Sequence, residues 1–476
     1  MSIVRLLSSC NPLANFQPSW ERFVDRELFV ALFILIGLGF VVMVSASVAV
    51  AERTYGNAYY FLNRQFIFLL VGSIVAVGIY NIKTLFWQNL GAKLLPIIIF
   101  LLVLVLIPGI GKEVNGSYRW FSFAGFSLQV SEFAKLSMII YMAGYLLRHG
   151  KNLAESTSWQ PLMIPLMVLV VVDALLMLEP DFGSTVVVTT TVVAMLFLGG
   201  VKLSRIAVLV TAAVAIAIPL VMIGYRGDRI MAYLNLWEHA SGKAYQTVHA
   251  LMAVGNGGWF GGGLGGSVEK LFYLPEAHND FVFAVLAEEF GFIGIVITLL
   301  LFAWIVQRAF VIGFNADKAK LHFAAYIAYG IGFWIGFQSL FHMGVNLALL
   351  PPKGLTLPLI SYGGSSVLVT LIAMAFLMRV HRDTQIALFG LSPRELAKQN
   401  KQKVSLKKKV IKGNSVRKVT KKGKSSVTRK KGAPRKAGVV RKSAVTHKKV
   451  VSRKAGTVRK SAVTRKKSVT RKKKLE

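Results

Sequence analysis

Residues 28–50 read LFVALFILIGLGFVVMVSASVAV, twenty-three consecutive positions without a charged side chain. A helix needs about 20 mostly apolar residues to cross a bilayer, so this stretch places the chain in lipid. The small residues 45–47 and 49–51 imitate a secretory cleavage site. The apolar run is too long for a signal, however, and a charged 27-residue segment precedes it, so an uncleaved first span is expected. Outward from it, nine further stretches qualify: 65–80, 93–107, 131–147, 161–178, 184–199, 205–224, 281–307, 321–347 and 357–379. The expected fold is an all-α integral membrane protein of about ten transmembrane helices.

Charge sets the orientation and divides the chain. The 476 residues carry 57 Lys+Arg against 21 Asp+Glu, a net charge of +36, together with a mean hydropathy of +0.56. Of these, 33 basic and two acidic residues fall in 392–476, so the rest of the chain is close to balanced. With both termini in the cytoplasm, the inside segments before that tail hold fourteen basic residues and the outside segments nine, as the positive-inside rule requires. The organisation that follows is a cytoplasmic segment 1–27, a membrane domain 28–390 and a tail 391–476. The tail has no Phe, Tyr or Trp and repeats the run RKSAVT at 441 and 459, a composition that cannot bury a core and is expected to be disordered. Its polycation suits anionic lipid headgroups, nucleic acid without sequence preference, or solvent alone.

Two outside segments exceed simple turns: 108–130, and 225–280 between spans 7 and 8. The second is glycine-rich at 255–266 and carries Trp237, Trp259, Phe260, Phe272 and Tyr273. Long loops in compact proteins are functional or disordered, and the aromatics argue for a partial lid packed on the bundle. The glycines follow no strand and spell no dinucleotide site; backbone flexibility is their expected role. The single cysteine, Cys10, excludes an intramolecular disulfide and a Cys-rich metal site. The absence of a Gly-x-x-x-x-Gly-Lys-Ser/Thr loop argues against an ATP-driven pump.

Ionisable side chains at membrane depth mark candidate sites. Asp280, in the run Pro275-Glu276-Ala277-His278-Asn279-Asp280-Phe281, enters the eighth span with lipid on one side and a wet loop on the other. Burial there would raise its pKa toward working pH and suit it to proton transfer. The plainer alternative is that Asn279 or Asp280 only caps the helix. Glu132 and Lys135 share one helical face at the start of the fourth span and can pair, for ligand or for structure. Glu179-Pro180-Asp181 is an acidic turn in which Asp181 would cap the sixth helix. Arg226 and Arg229 suit phosphate oxygens, or anchor the loop at the interface.

The stretches Leu271–Phe281, Ala287-Glu288-Glu289 and Leu355-Thr356-Leu357-Pro358-Leu359-Ile360-Ser361-Tyr362-Gly363-Gly364-Ser365-Ser366, in that order, resemble the SEDS family (FtsW/RodA/SpoVE) of shape, elongation, division and sporulation proteins. Arg119-Trp120, Ser131–Lys135 and Glu179–Gly183 also match. The run Tyr273–His278 is more like the cell-division branch than the elongation branch. The resemblance implies a peptidoglycan glycosyltransferase of the cytoplasmic (inner) membrane that polymerises lipid II at the outer face, during cell division. It implies Asp280 as the catalytic aspartate, a general base on the acceptor GlcNAc 4-hydroxyl, with undecaprenyl pyrophosphate leaving. Glu132 and Lys135 match a buried pair, and Trp120 a position linked to activity. Arg119, Arg226, Arg229, His278 and Ser361 complete the candidate substrate contacts. A divalent cation, Mg or Mn, is one way to steady the pyrophosphate, and no covalently bound cofactor is implied. The implied partners are a class B penicillin-binding protein that cross-links the product, and other division proteins. Three positions depart from the family pattern: Asn279 for Thr, His342 for Asn and Pro352 for Thr. The competing readings are a lipid II flippase and a non-enzymatic division scaffold.

Overall fold

A computed structural model describes residues 23–114, 116–123, 126–155, 158–222 and 225–389; the basic tail lies outside them. Asp25 starts the first helix, α1 (Arg26–Tyr55), by accepting from Leu28 N at 2.9 Å, and Gly56 ends it in the left-handed conformation at φ 62°. There follow α2 (Tyr60–Asn81) and α3 (Thr84–Val105), a small sheet of β1 (Lys112–Val114), β2 (Ser117–Phe123) and β3 (Phe126–Gln129), then α4 (Val130–Glu155), α5 (Gln160–Leu178), α6 (Phe182–Leu198) and α7 (Leu203–Met222). Two short helices, α8 (Tyr225–Leu234) and α9 (Tyr245–Asn256), precede α10 (Val282–Lys318), α11 (His322–Asn346) and α12 (Gly364–Phe389). Eight of these are long and apolar enough to cross a membrane, and α6 and α7 are shorter apolar helices at two further expected spans.

Burial runs opposite to hydropathy. The spanning stretches of α4 and α12 are 83% buried, although they are among the less apolar ones, whereas that of α2 is 17% buried. In lipid the outward surface must be apolar, and polar side chains are tolerated only where neighbouring helices satisfy them. The helices α4, α11 and α12 therefore form the middle of the bundle, with α2 against α12, α3 against α4 and α1 against α10.

Several expectations need correction. The outside segment 108–130 is not all helix and coil: its three strands pair antiparallel in the order β1-β2-β3, with Trp120 opposite Gln129. The last span begins at Gly364, not 357, because residues 355–361 fold back against the loop before α10. The large loop holds two helices, and its aromatics Trp237, Trp259 and Phe260 are 68%, 70% and 80% exposed, so apart from Trp259, which meets Phe292 of α10 edge-on at 5.3 Å, they do not seal it onto the bundle. Leu274, Ala277 and Phe281 do that, packing with Ala46 of α1 and Val285 of α10.

The glycines 257–263 serve close packing rather than flexibility. Helix α10 breaks at Gly291 (φ 65°, ψ −162°), which frees backbone groups on both sides of the break. The glycine loop satisfies them: Gly262 N and Gly263 N donate to the carbonyls of Glu288 and Glu289 at 2.9 and 3.0 Å, while Phe292 N and Ile293 N donate to Gly258 O and Trp259 O at 2.9 and 3.2 Å. A Cβ on Gly261 would stand 2.1 Å from Glu289 O, and one on Gly291 would stand 2.4 Å from Gly261 N. Only glycine fits such an approach. Polar side chains complete the join. Glu288 accepts from Ser267 Oγ and Val268 N, and Glu289 accepts from Lys270 Nζ and Ser45 Oγ. Gly291→Ala should therefore destabilise the fold by about 2 kcal/mol or more, combining a strained φ with a backbone clash. Thermal unfolding in detergent should show a melting temperature several degrees lower, whereas Gly37→Ala, whose Cβ meets nothing within 4 Å, should leave it unchanged.

Candidate active site at the mouth of the bundle

The break in α10 fixes the chain leading into it, and Asp280 sits two residues before that helix begins at Val282. The backbone N–H groups of Asn279 and Asp280 both donate to Glu276 O at 3.0 Å, closing a tight turn. A second extended segment, residues 351–363, docks against this turn. Tyr362 N donates to His278 O at 2.9 Å, and Ser361 Oγ donates to Asn279 O at 2.7 Å while accepting from Leu357 N at 2.8 Å. Gly354 passes so close that a Cβ there would lie 3.2 Å from Asp280 Oδ2.

Asp280 does not cap α10. The cap position is Phe281, which makes no side-chain cap, and the Ala284 N–H is shared between Phe281 O at 3.0 Å and Asn346 Oδ1 at 3.1 Å. Asn346 Nδ2 in turn donates to Asp280 O at 3.1 Å and His342 O at 2.9 Å. One amide from α11 thus holds both the backbone of Asp280 and the first turn of α10. Among the described residues, no hydrogen bond reaches the Asp280 carboxylate. Its pKa is pushed up to about 7, first by burial and then by the negative charges of Glu276 and Asp181, against the opposing charge of Arg119. The residue keeps partial access to solvent. A carboxylate near half ionisation, unbonded and accessible, can take or give a proton.

The remaining candidates fall into three groups. Arg119, on β2, donates through Nε to Glu179 O at 2.7 Å and through Nη2 to Pro180 O at 2.9 Å, so it ties the sheet to the α5–α6 turn while its charge reaches Asp280. Trp120 is partly buried beside it, the guanidinium 5.8 Å from its ring. In that turn Asp181 caps α6 by accepting from Ser184 N at 3.0 Å, and it also accepts from Ser131 Oγ and Gln129 Nε2. Glu179 is buried, and desolvation with Asp181 nearby pushes its pKa up to about 9, against Arg119.

Glu132 and Lys135 pair at 2.8 Å inside the bundle, and Lys135 also donates to Gln338 Oε1 at 3.0 Å. Gln338 Nε2 donates to Thr356 O at 2.9 Å, so the pair braces the 351–363 segment rather than standing alone. Buried charges broken from one partner are costly, which gives this pair a structural duty whatever else it does.

His278 is buried with Nδ1 unpartnered, its ring 4.4 Å from Phe61; burial pushes its pKa down to about 4, so it is neutral at pH 7. Ser361 is spent on the backbone staple. Arg226 and Arg229 lie on α8, and their side chains are outside those described. Among the described residues no group of three or more His, Cys, Asp or Glu could hold a metal ion.

Sequence reading missed Asn346, Gln338 and Gly354. The first two carried a visible signal, an amide inside an apolar helix, where an unsatisfied polar group is expensive. Gly354 carried none, because its value depends on what folds against it.

A model of the FtsW/RodA/SpoVE family, described as cell cycle protein, matches residues 26–386. A probable peptidoglycan glycosyltransferase FtsW of Thioalkalivibrio sulfidiphilus is 46% identical over 385 residues, covering 81% of this chain and 96% of that protein. A solved chain from work on the structural coordination of polymerization and crosslinking by a peptidoglycan synthase complex superposes with TM-score 0.63 at 27% identity, over 76% of this chain and 98% of its own. The crystal structure of the Thermus thermophilus rod shape determining protein RodA superposes with TM-score 0.55 at 28% identity, over 77% and 99%. With its helices, its sheet and the surroundings of Asp280 spread over the matched span, this chain is a multi-pass membrane protein that belongs to the FtsW/RodA/SpoVE family.

Proposed function

We infer that the protein is a peptidoglycan glycosyltransferase that polymerises lipid II into glycan strands at the outer face of the bacterial cytoplasmic membrane, at the division septum. Ten spans with both termini in the cytoplasm would put Asp280 at that face. The observation that carries the reading is the state of Asp280: a carboxylate with no hydrogen bond among the described residues, its pKa raised to about 7, and its backbone held by Asn346, with Ser361 holding that of the preceding Asn279. The FtsW relatives and the peptidoglycan synthase neighbour support the same chemistry.

In the proposed step, the acceptor GlcNAc 4-hydroxyl gives its proton to Asp280. Its oxygen forms a bond to the donor MurNAc C1, and the C1–O bond to pyrophosphate breaks with the electron pair leaving on undecaprenyl pyrophosphate. Arg119, turned to the Glu179–Pro180 carbonyls and with its charge felt at Asp280, offers a positive field for the leaving anion. Arg226, Arg229 or a divalent cation arriving with the pyrophosphate would add to it. A class B penicillin-binding protein is the expected partner, since new strands need cross-linking, and the structural neighbour comes from a complex in which polymerization and crosslinking are coordinated.

Purified protein with its partner, supplied with lipid II in the leaflet facing Asp280, should make glycan chains, and Asp280→Asn should slow this by ~10²–10⁴-fold, the usual worth of a general base. Near-wild-type polymerisation by the variant would remove Asp280 from the step, and translocation without chains would mean a flippase.

The raised pKa fixes the sign of the pH response. Below about 7 the carboxyl is protonated and cannot accept the proton, so the rate should fall as pH drops through that value. Glu276→Gln removes a negative neighbour, lowers the Asp280 pKa and should move this acid limb to lower pH; a shift the other way would contradict the assignment.

Residues 392–476 take no part in this scheme. Deleting them should leave polymerisation by the purified protein unchanged, and lost activity would give the tail a catalytic duty.

A further inference from the structure

Two side chains of α11, one helical turn apart, hold the 351–363 segment by its main chain. Gln338 Nε2 donates to Thr356 O at 2.9 Å, and His342 Nδ1 bonds Leu355 O at 2.5 Å. A carbonyl oxygen only accepts, so Nδ1 carries the hydrogen. His342 is 1% exposed, and its Nε2 meets no hydrogen-bond partner among the described residues. The imidazole is thus committed to Leu355 through Nδ1 alone.

That bond falls on the residue that shapes the approach to Asp280. Leu355 N donates back to Lys353 O at 2.9 Å, closing a three-residue turn with Gly354 at its corner. Gly354 lies against the Oδ2 side of the Asp280 carboxylate, where its own Cβ would stand 3.2 Å away. The Leu355 side chain is buried against Gly183 at the start of α6, where a Cβ would lie 2.8 Å from Leu355 Cγ. The N–H, side chain and carbonyl of Leu355 are therefore all engaged, and His342 supplies the tie from α11.

We propose that His342 is a positioning residue for Asp280: through Leu355 it keeps Gly354 packed on the carboxylate and water off that side. The proposal rests on the reading of Asp280 as general base. Burial is the largest cause of the raised Asp280 pKa, so the cover that Gly354 provides bears on its strength as a base. The charges facing the carboxylate are Glu276 from its own loop, Arg119 from β2 and Asp181 from the α5–α6 turn. Lys353, beside Gly354, turns its Nζ over the Phe182 ring at 4.6 Å. None of these stands on α11, so a change at His342 alters the cover and leaves that charge set in place. Gln338 still holds Thr356 when the His342 bond is lost, which keeps the segment docked.

The test separates the donor from the ring. An asparagine amide nitrogen stands where Nδ1 does, and a glutamine one where Nε2 does. His342→Asn therefore retains the bond to Leu355, whereas His342→Gln and His342→Leu lose it. Polymerisation by the purified protein with its partner is followed across pH for all three, beside infrared titration of the carboxyl band that Asp280→Asn abolishes. In His342→Gln and His342→Leu the Asp280 carboxyl should titrate about one pH unit lower, and the acid limb of kcat should follow it with KM little changed. His342→Asn should hold both near their wild-type places. Folded His342→Gln and His342→Leu proteins that titrate as the wild type does overturn the proposal, and so does a lower melting temperature without a change in titration. A shift in His342→Asn as large as that in His342→Leu also overturns it, since the ring rather than the donor would then matter. Should His342→Leu fail to fold, His342→Gln, which keeps a polar side chain, decides alone. A carboxyl that titrates lower while the acid limb stays in place keeps His342 as the positioning residue and removes the base reading of Asp280.

Discussion

Every peptide group at membrane depth must find a partner within the protein, and the structure turns on one place where a helix cannot supply it. The break at Gly291 leaves Glu288, Glu289, Phe292 and Ile293 with backbone groups to satisfy, and four hydrogen bonds from residues 258–263 satisfy them. That repair needs a loop whose backbone can lie against another backbone, hence the run of glycines. Once the loop is pinned there, Ser267 and Lys270 fall onto Glu288 and Glu289, and the chain from 271 to 281 has little freedom left.

The surroundings of Asp280 follow from the same constraint. Two non-helical segments, 267–281 and 351–363, meet at the end of the bundle, and each satisfies polar groups of the other through Ser361 and Tyr362. Asn346 adds the third tie from α11. These bonds all go to the main chain around Asp280, none to its carboxylate. Backbone positioning combined with a bare side chain is what a proton-transfer group requires, because a hydrogen bond to the ionised form would lower the pKa that burial raises. The neighbouring Asp181 shows the opposite outcome: three donors surround it, and its role is to cap and brace.

How much of this could be read beforehand depended on whether the signal was local. The spans were legible because lipid imposes long apolar runs, and all ten expected stretches coincide with helices. Their ends were less so: the 357–379 estimate began seven residues early, since Leu357 and Leu359 are apolar for packing against the fold rather than for lipid. The sheet at 112–129 was hidden in a short segment without clear alternation. Asp280, Glu132 and Lys135 stood out as charges in apolar context. What they contact did not, since Gln338 lies more than two hundred residues from Lys135, and Gly354 matters only through its approach to Asp280.

The net charge of +36 illustrates the same separation of scales. Most of it belongs to residues 392–476, whose repeated Lys/Arg content raises the net charge without bearing on the charges inside the bundle, since salt screens exposed charges beyond about 10 Å. At the mouth of the bundle the balance is reversed: Glu179, Asp181, Glu276 and Asp280 stand together against Arg119. Burial and mutual proximity keep Glu179 and Asp280 partly or wholly protonated there, so close packing of acids is met by proton uptake as well as by the charge of Arg119. The local field at Asp280 is thus set by a handful of groups within the fold, and the tail's charge has no part in the balance that raises its pKa.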